Sequence, residues 1–157
     1  MTEEGAINDF TVLDPDFAKR IQNSFDAQGV MGHIGALMMS VRPGYCEIEL
    51  PYSDEVSQQH GFFHGGIIST IADTAAGYAA SSLMDAEDGV LTVEYKINFM
   101  APADGDRALA RGQVLRPGRT LTVTRAEVSV IKDGQETICA VLQQTMMRIV
   151  ERSDIAG

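Results

Sequence analysis

Residues 56–85 read VSQQHGFFHGGIISTIADTAAGYAASSLMD, and this stretch decides the fold. Between Glu55 and Asp85 the only formal charge is Asp73, although the chain carries 22 acids, 12 bases and a net charge of -10. A surface helix in so acidic a protein would carry several Lys, Glu or Arg. The near absence of charge therefore predicts a helix over Gly65–Leu83 buried nearly all round. At ~100° per residue, Ile67, Ile68, Ile71, Ala72, Ala75, Tyr78 and Ala79 share one broad face. Ser69, Asp73, Gly77 and Ser81 form the opposite row, at successive i+4 steps. Small residues in such a row let another backbone come close. The pattern points to a sheet wrapped around a helix, with the narrow face packed on a second copy of the chain.

Two features of this stretch bear on chemistry. A lone mid-helix carboxylate gains nothing from the helix dipole, and burial penalises its charged form unless donors hold it ionised. Asp73 is thus either a structural acid bonded to backbone or Ser69, or a functional acid or base kept where water is scarce. The second feature is the helix start, His64-Gly65-Gly66. Paired glycines there mark close approach of a ligand or chain, and the exposed N–H groups suit an anion or a developing oxyanion. Gly65 and Asp73 lie about 12 Å apart along a helix rising ~1.5 Å per residue. Catalytic groups must sit within ~3 Å of the reacting atoms, so these two can share a substrate only across an interface between chains.

Working outward, Asp14–Gln28 places Phe17, Ile21 and Phe25 on one stripe of a helix, with Asp14 as N-cap, Pro15 at the first position and Gly29 closing it. Ala36–Val41 and Tyr45–Pro51 read as a hairpin about Arg42-Pro43-Gly44, with Cys46, Ile48 and Leu50 on the dry face. Leu91–Met100, Asp106–Leu115, Leu121–Lys132 and Glu136–Ile149 read as four strands of a meander, the last turn being Asp133-Gly134. Arg152–Gly157 is expected to fray.

Composition narrows the classes. A length of 157 residues suits one domain with a real core. The acidic balance argues against nucleic acid or an anionic membrane as partner. Residues 1–60 carry 10 acids and 3 bases and 61–157 carry 12 and 9, which places any anion site in the second part. Cys46 and Cys139 have no metal-ligand spacing, so no metal is expected, and they read as reduced, buried thiols of a cytoplasmic protein. The acidic MTEEGAINDF start lacks a signal-like apolar run. The charge-free run Val56–Ala72 is too polar to span a membrane.

HGGIISTIADTAAGYAA, with its HGG-x6-D pattern, resembles the hotdog-fold acyl-CoA thioesterases of the phenylacetate-degradation (PaaI-like) group within the 4-hydroxybenzoyl-CoA thioesterase superfamily. The likeness runs from about Gly35 to Ile149 and includes VLTVEYKINFMAPA and PGRTL. It implies an α+β hotdog fold: a curved antiparallel sheet around a long central helix, dimers forming by joined sheets. It implies Asp73 as general base or nucleophile, the Gly65 N–H of the neighbouring subunit polarising the thioester carbonyl, and His64 orienting that loop. Gln58 stands where relatives commonly place Asn, and Thr92 matches a hydroxyl that holds the attacking water in some of them. Gly66, Arg116, Gly118 and Arg119 match positions that bind coenzyme A.

The expectation is one hotdog domain over 1–157, with a helical extension over about 1–30 and a core over about 35–149. Its function would be acyl-CoA thioester hydrolysis without cofactor, as a dimer or dimer of dimers. Two alternatives stand beside it. A hotdog enoyl-CoA hydratase or dehydratase would want a His–carboxylate pair that this motif does not offer. A non-enzymatic acyl-CoA-binding protein would not need Asp73.

Overall fold

Alternating apolar and polar residues between turn signals build one six-stranded antiparallel sheet in the computed structural model, which describes residues 10–152, 154 and 155. The acidic first nine residues, read above for a signal, lie outside the described residues. β1 (Leu37–Arg42) and β2 (Tyr45–Pro51) form the expected hairpin. Cys46, Ile48 and Leu50 are fully buried, while Glu47 and Glu49 lie on the wetter face. β4 (Arg107–Arg116), β5 (Leu121–Lys132) and β6 (Gln135–Ile149) follow one another in the sheet. Asp133 and Gly134 close the last hairpin with φ of 50° and 76°, the backbone for which Asp-Gly is favoured.

β3 (Gly89–Phe99) breaks the expected meander. The sheet order is β1-β2-β4-β5-β6-β3, so β3 pairs with β6 at the edge and not with β4. The reason is competition: β2 and β5 already occupy both sides of β4. The segment 100–106 instead crosses toward the other half of the molecule, where Phe63 donates to the Ala103 carbonyl (2.9 Å) and Tyr52 to that of Asp106 (2.9 Å).

The sheet curves around α3 (Gly65–Ser81), whose Ile68, Ile71, Ala72, Ala75, Ala76 and Ala79 are fully buried. Each fully buried Ile contributes roughly 1.5–3 kcal/mol. At Gly112 on β4 the helix backbone presses on the sheet itself: a Cβ there would meet the Ala75 carbonyl carbon and oxygen at 2.3 Å. Hydroxyls inside the helix bond backward, Ser69 to the Gly65 carbonyl and Thr74 to that of Thr70. The small-residue row is covered partly from within the chain. A Cβ on Gly77 would lie 3.4 Å from the Met146 methyl, and Arg20 bonds Ser81 Oγ at 3.1 Å.

The amino-terminal helix is shorter than expected and is followed by a second. α1 (Phe17–Ala27) has Asp16, not Asp14, at its N-cap, and Gly29 opens α2 (Gly29–Ile34). Asp14 has another task. Its carboxylate accepts from the Asp16 N–H (2.9 Å) and pairs with Arg20 (2.8 Å), whose guanidinium also reaches the Ser81 and Met84 carbonyls. That pair ties α1 to the end of α3. The carboxyl end also differs from a frayed tail: Arg152 donates to the Glu87 carbonyl (2.9 Å), and Ile155 lies against Gly89. Ser153, Ala156 and Gly157 lie outside the described residues. Among the described residues no helix is long and apolar enough to cross a membrane.

Candidate active site

Asp73 is half-buried midway along α3 and points at the last two strands of the sheet. Thr92 Oγ1 on β3 donates to its Oδ1 at 2.8 Å, and Gln144 Nε2 on β6 donates to the same oxygen. Asp73 Oδ2 accepts no hydrogen bond among the described residues. The carboxylate is therefore held neither by backbone nor by Ser69, whose hydroxyl is spent on Gly65. A bulge in β3 between Thr92 and Glu94 makes the pairing possible. Bulges re-aim side chains; here Thr92 stands opposite Met146, Glu94 opposite Thr145 and Tyr95 opposite Gln144. Thr92 is turned to the helix and Glu94 away from it.

Gln144 is the residue that sequence reasoning missed. It is 1% exposed, and its Oε1 is the one buried side-chain N or O atom without a hydrogen-bond partner among the described residues. Such an orphan acceptor costs ~1–3 kcal/mol. The signal was available in the pattern. Ala140, Leu142, Gln144 and Met146 alternate along the buried face of β6, and only one of them is polar.

The helix start has its own geometry. His64 is the N-cap, its Nδ1 accepting from the Gly66 N–H at 2.9 Å, which places the ring proton of the neutral form on Nε2. The Ile67 N–H goes to the His64 carbonyl (3.0 Å). This leaves the Gly65 N–H, one of the orphan donors of a first turn, without an acceptor among the described residues. The Phe99 ring lies beside it, 3.3 Å from where a Cβ would stand. Gln58 is turned to its own loop, accepting from the His60 N–H through Oε1 and from the Gly61 N–H through its carbonyl (3.0 Å). Within one chain Gln58, His64, Gly65 and Gly66 form one group, and Asp73, Thr92 and Gln144 another.

Charge separates the basic residues of β4, β5 and their turn. Arg111 is held by Glu47 (2.8 Å) and Glu136, which push its guanidinium pKa up, and Arg125 is paired with Glu127. Arg116 and Arg119 are exposed and form no ion pair among the described residues. Arg107 is paired with Glu49 and Lys132 with Asp104, so of the six basic residues in these strands and their turn Arg116 and Arg119 are the two available cations among the described residues. Gly118 between them has a steric reason of its own, since a Cβ would meet the Leu121 carbonyl oxygen at 2.1 Å. The turn lies at the Asp73 end of the sheet: Thr122, Met146 and Thr92 share one row across β5, β6 and β3.

A cavity of about 170 Å³ opens beside the carboxylate, lined by Gln28, Asp73, Thr74, Gly77, Tyr78, Val90, Thr92 and Met146. Tyr78 lines it, whereas Phe63 and Met84 are buried in the core and Met100, just past β3, is exposed. Gln28 donates to the Tyr78 hydroxyl (2.6 Å), which donates to Ser24 (3.0 Å). Burial pushes the Tyr78 phenol pKa up, with those hydrogen bonds opposing it. Burial likewise raises the Cys46 thiol to about 12 and Cys139 to about 11. Both thiols are fully buried in the core. No group of three or more His, Cys, Asp or Glu among the described residues is placed to hold a metal ion.

Residues 60–137 match the family model described as the thioesterase superfamily. A crystal structure of a thioesterase family protein from Silicibacter pomeroyi is 46% identical, with a TM-score of 0.84 over 85% of this chain and 98% of that one. The chain belongs to the thioesterase superfamily. A putative esterase of Saccharolobus solfataricus is 34% identical over 71% of this chain and 80% of its own length. Acyl-coenzyme A thioesterase 13 of Pongo abelii is 27% identical over 71% and 78% respectively. The Escherichia coli PaaI protein shares the fold, with a TM-score of 0.76 and 21% identity over 89% of this chain and 98% of that one. The hotdog architecture is thereby upheld, the likeness to PaaI is one of fold, and the chain is a thioester hydrolase.

Proposed function

We propose that this thioesterase hydrolyses acyl-CoA at a site built by two chains. Asp73 carries the reading: a carboxylate with one oxygen held by donors, the other open, beside a cavity. The carboxylate either takes a proton from water as that water attacks the thioester carbonyl carbon, or attacks the carbon itself to give an anhydride that water then opens. In both routes the carbonyl oxygen becomes an oxyanion held by the Gly65 N–H at the helix dipole's positive end. Collapse expels the thiolate, which takes a proton, and the products are free acid and coenzyme A. No cofactor is required by either route.

The exposed edge of β3 supports the second chain's part. Leu91, Val93, Tyr95 and Phe99 are each more than 40% exposed on this edge strand, which pairs with β6 on one side only. Antiparallel pairing of two such edges, centred between Tyr95 and Lys96, would set Thr92 of one chain against the Phe99 that lies beside Gly65 in the other. His64 then serves by holding the Gly65 turn, with Gln58 and Gly66 closing the same loop. Exposed Arg116 and Arg119 suit the phosphates of the nucleotide end. Buried free thiols support a reducing, cytoplasmic setting.

The test is complementation. Inactive Asp73→Asn and Gly65→Pro chains are mixed, subunit exchange is confirmed by mass spectrometry, and thiol release from acyl-CoA is measured. Proline is tolerated at the first helical position and removes the N–H, while its ring has to be accommodated by the Phe99 side chain 3.3 Å from the Cβ position. One of the two sites in a mixed dimer would then combine intact halves, so activity returns. Mixed dimers that stay inactive overturn the two-chain site. Transfer of ¹⁸O from water in a single turnover separates the two routes: label in Asp73 marks the nucleophile.

A further inference from the structure

From the placement of Gln144 we infer that it is a positioning residue that makes Asp73 a one-sided carboxylate. The inference rests on Asp73 being the reacting acid. Three groups form a closed triangle: the Gln144 amide donates to Asp73 Oδ1 and to Thr92 Oγ1 (2.9 Å), and Thr92 Oγ1 donates to the same Oδ1 (2.8 Å). The amide orientation is dictated by chemistry. An ionised carboxylate only accepts, so the amide nitrogen faces Asp73 and Oε1 faces away. Because Gln144 donates to the threonine oxygen, that hydroxyl's single proton is directed to Asp73. The outcome is two donors on Oδ1 and none on Oδ2.

The orphaned Oε1 shows that this arrangement is not chosen for stability. It is buried without a partner among the described residues, although the Gln144 amide nitrogen also lies 2.8 Å from Met146 Sδ, a weak acceptor, and the buried Thr124 stands opposite on β5 without bonding that oxygen. A methionine of similar shape would fill the space and bury no unsatisfied acceptor. Fold economy would choose it; control of the carboxylate chooses glutamine. Among the described residues no charged side chain competes for this task. Asp73 is the only charge on α3, Glu94 and Lys96 of β3 stand opposite Thr145 and Gln143 on the other face, and Arg148 of β6 pairs with Asp88. Gln28 and Tyr78 line the adjoining cavity from the α1–α2 junction and α3, bonded to each other.

The experiment compares Gln144→Met, Gln144→Leu and Thr92→Val with wild type. It measures kcat and KM for an acyl-CoA thioester across pH, and Tm. Gln144→Met should lower kcat roughly 10- to 100-fold, leave KM within about threefold, and move the acid limb of kcat/KM to higher pH. That limb moves because the charged carboxylate has lost donors. Its Tm should equal or exceed that of wild type. Thr92→Val should move the limb the same way, and Gln144→Met in an Asp73→Asn background should cost nothing more. A kcat within threefold of wild type, or an unmoved limb together with a lower Tm, assigns Gln144 to packing and overturns the proposal. Gln144→Leu decides the same question if the Met variant fails to fold. An active Asp73→Asn enzyme would instead overturn the underlying reading of Asp73.

Discussion

The two halves of the sheet treat the same helix differently. On β4 and β5 the buried residues toward α3 are mostly small and apolar, Ala108, Ala110, Gly112, Val114, Ala126 and Val128, with Thr122 and Thr124 of β5 standing opposite Met146 and Gln144 where the polar half begins, and at Gly112 strand and helix backbones touch. On β6 and β3 the facing positions include Gln144 and Thr92, with Tyr95 and Phe99 left exposed. One half clamps the helix; the other holds its single charge and stays open at the edge. The catalytic role proposed for Asp73 uses both: close packing at Gly112 seats the helix that carries it, and the polar half supplies donors to one oxygen without closing the approach to the other.

Substitutions on each side can break this contrast. The largest effect should come from Asp73→Asn, nearly isosteric but unable to take a proton or attack. Thiol release should fall by ~10²–10⁴ or more, with Tm changed by only a few degrees. On the clamping side Gly112→Val should do the reverse, lowering stability by roughly 3 kcal/mol or more because backbone cannot yield to a side chain. Denaturant unfolding measures it, and a variant as stable as wild type would show that the helix can shift.

Smaller effects sharpen the comparison at its margins. Replacing Arg116 and Arg119 together with Ala should raise KM for acyl-CoA about tenfold with kcat nearly kept, since contact with distant phosphates serves ground and transition states equally. The wild-type KM should rise with salt and the double mutant's less. Equal losses on a short thioester lacking the nucleotide would make the turn structural. The smallest effect concerns Asp14, held below the usual aspartate pKa first by its hydrogen bond from Arg20. A depressed folded pKa gives stability that is present above the unfolded value, about 3.8, and lost as pH falls through the folded one. Asp14→Asn should therefore lower Tm by a few degrees at neutral pH, with the gap closing in acid below about pH 4. A gap independent of pH would exclude the ion pair as its source.

What the residues alone determined is local or periodic. Missing charge over 56–84 marked the buried helix, alternation marked β2, and Asp133-Gly134 marked a hairpin, because backbone preference and solvation act on neighbours in sequence. Asp73 stood out for the same reason, as one charge where none was expected. Tertiary structure decided which strand takes which edge: β4 has only two sides, both filled, so β3 went to β6. That choice brought Thr92 and Gln144, 52 positions apart, onto one oxygen of Asp73. Tertiary structure also brought Glu47 of β2 and Glu136 of β6 onto Arg111, while Arg116 and Arg119 at the β4–β5 turn stay exposed. No propensity encodes such meetings, since strand pairing is set by which edges remain free once the core has closed.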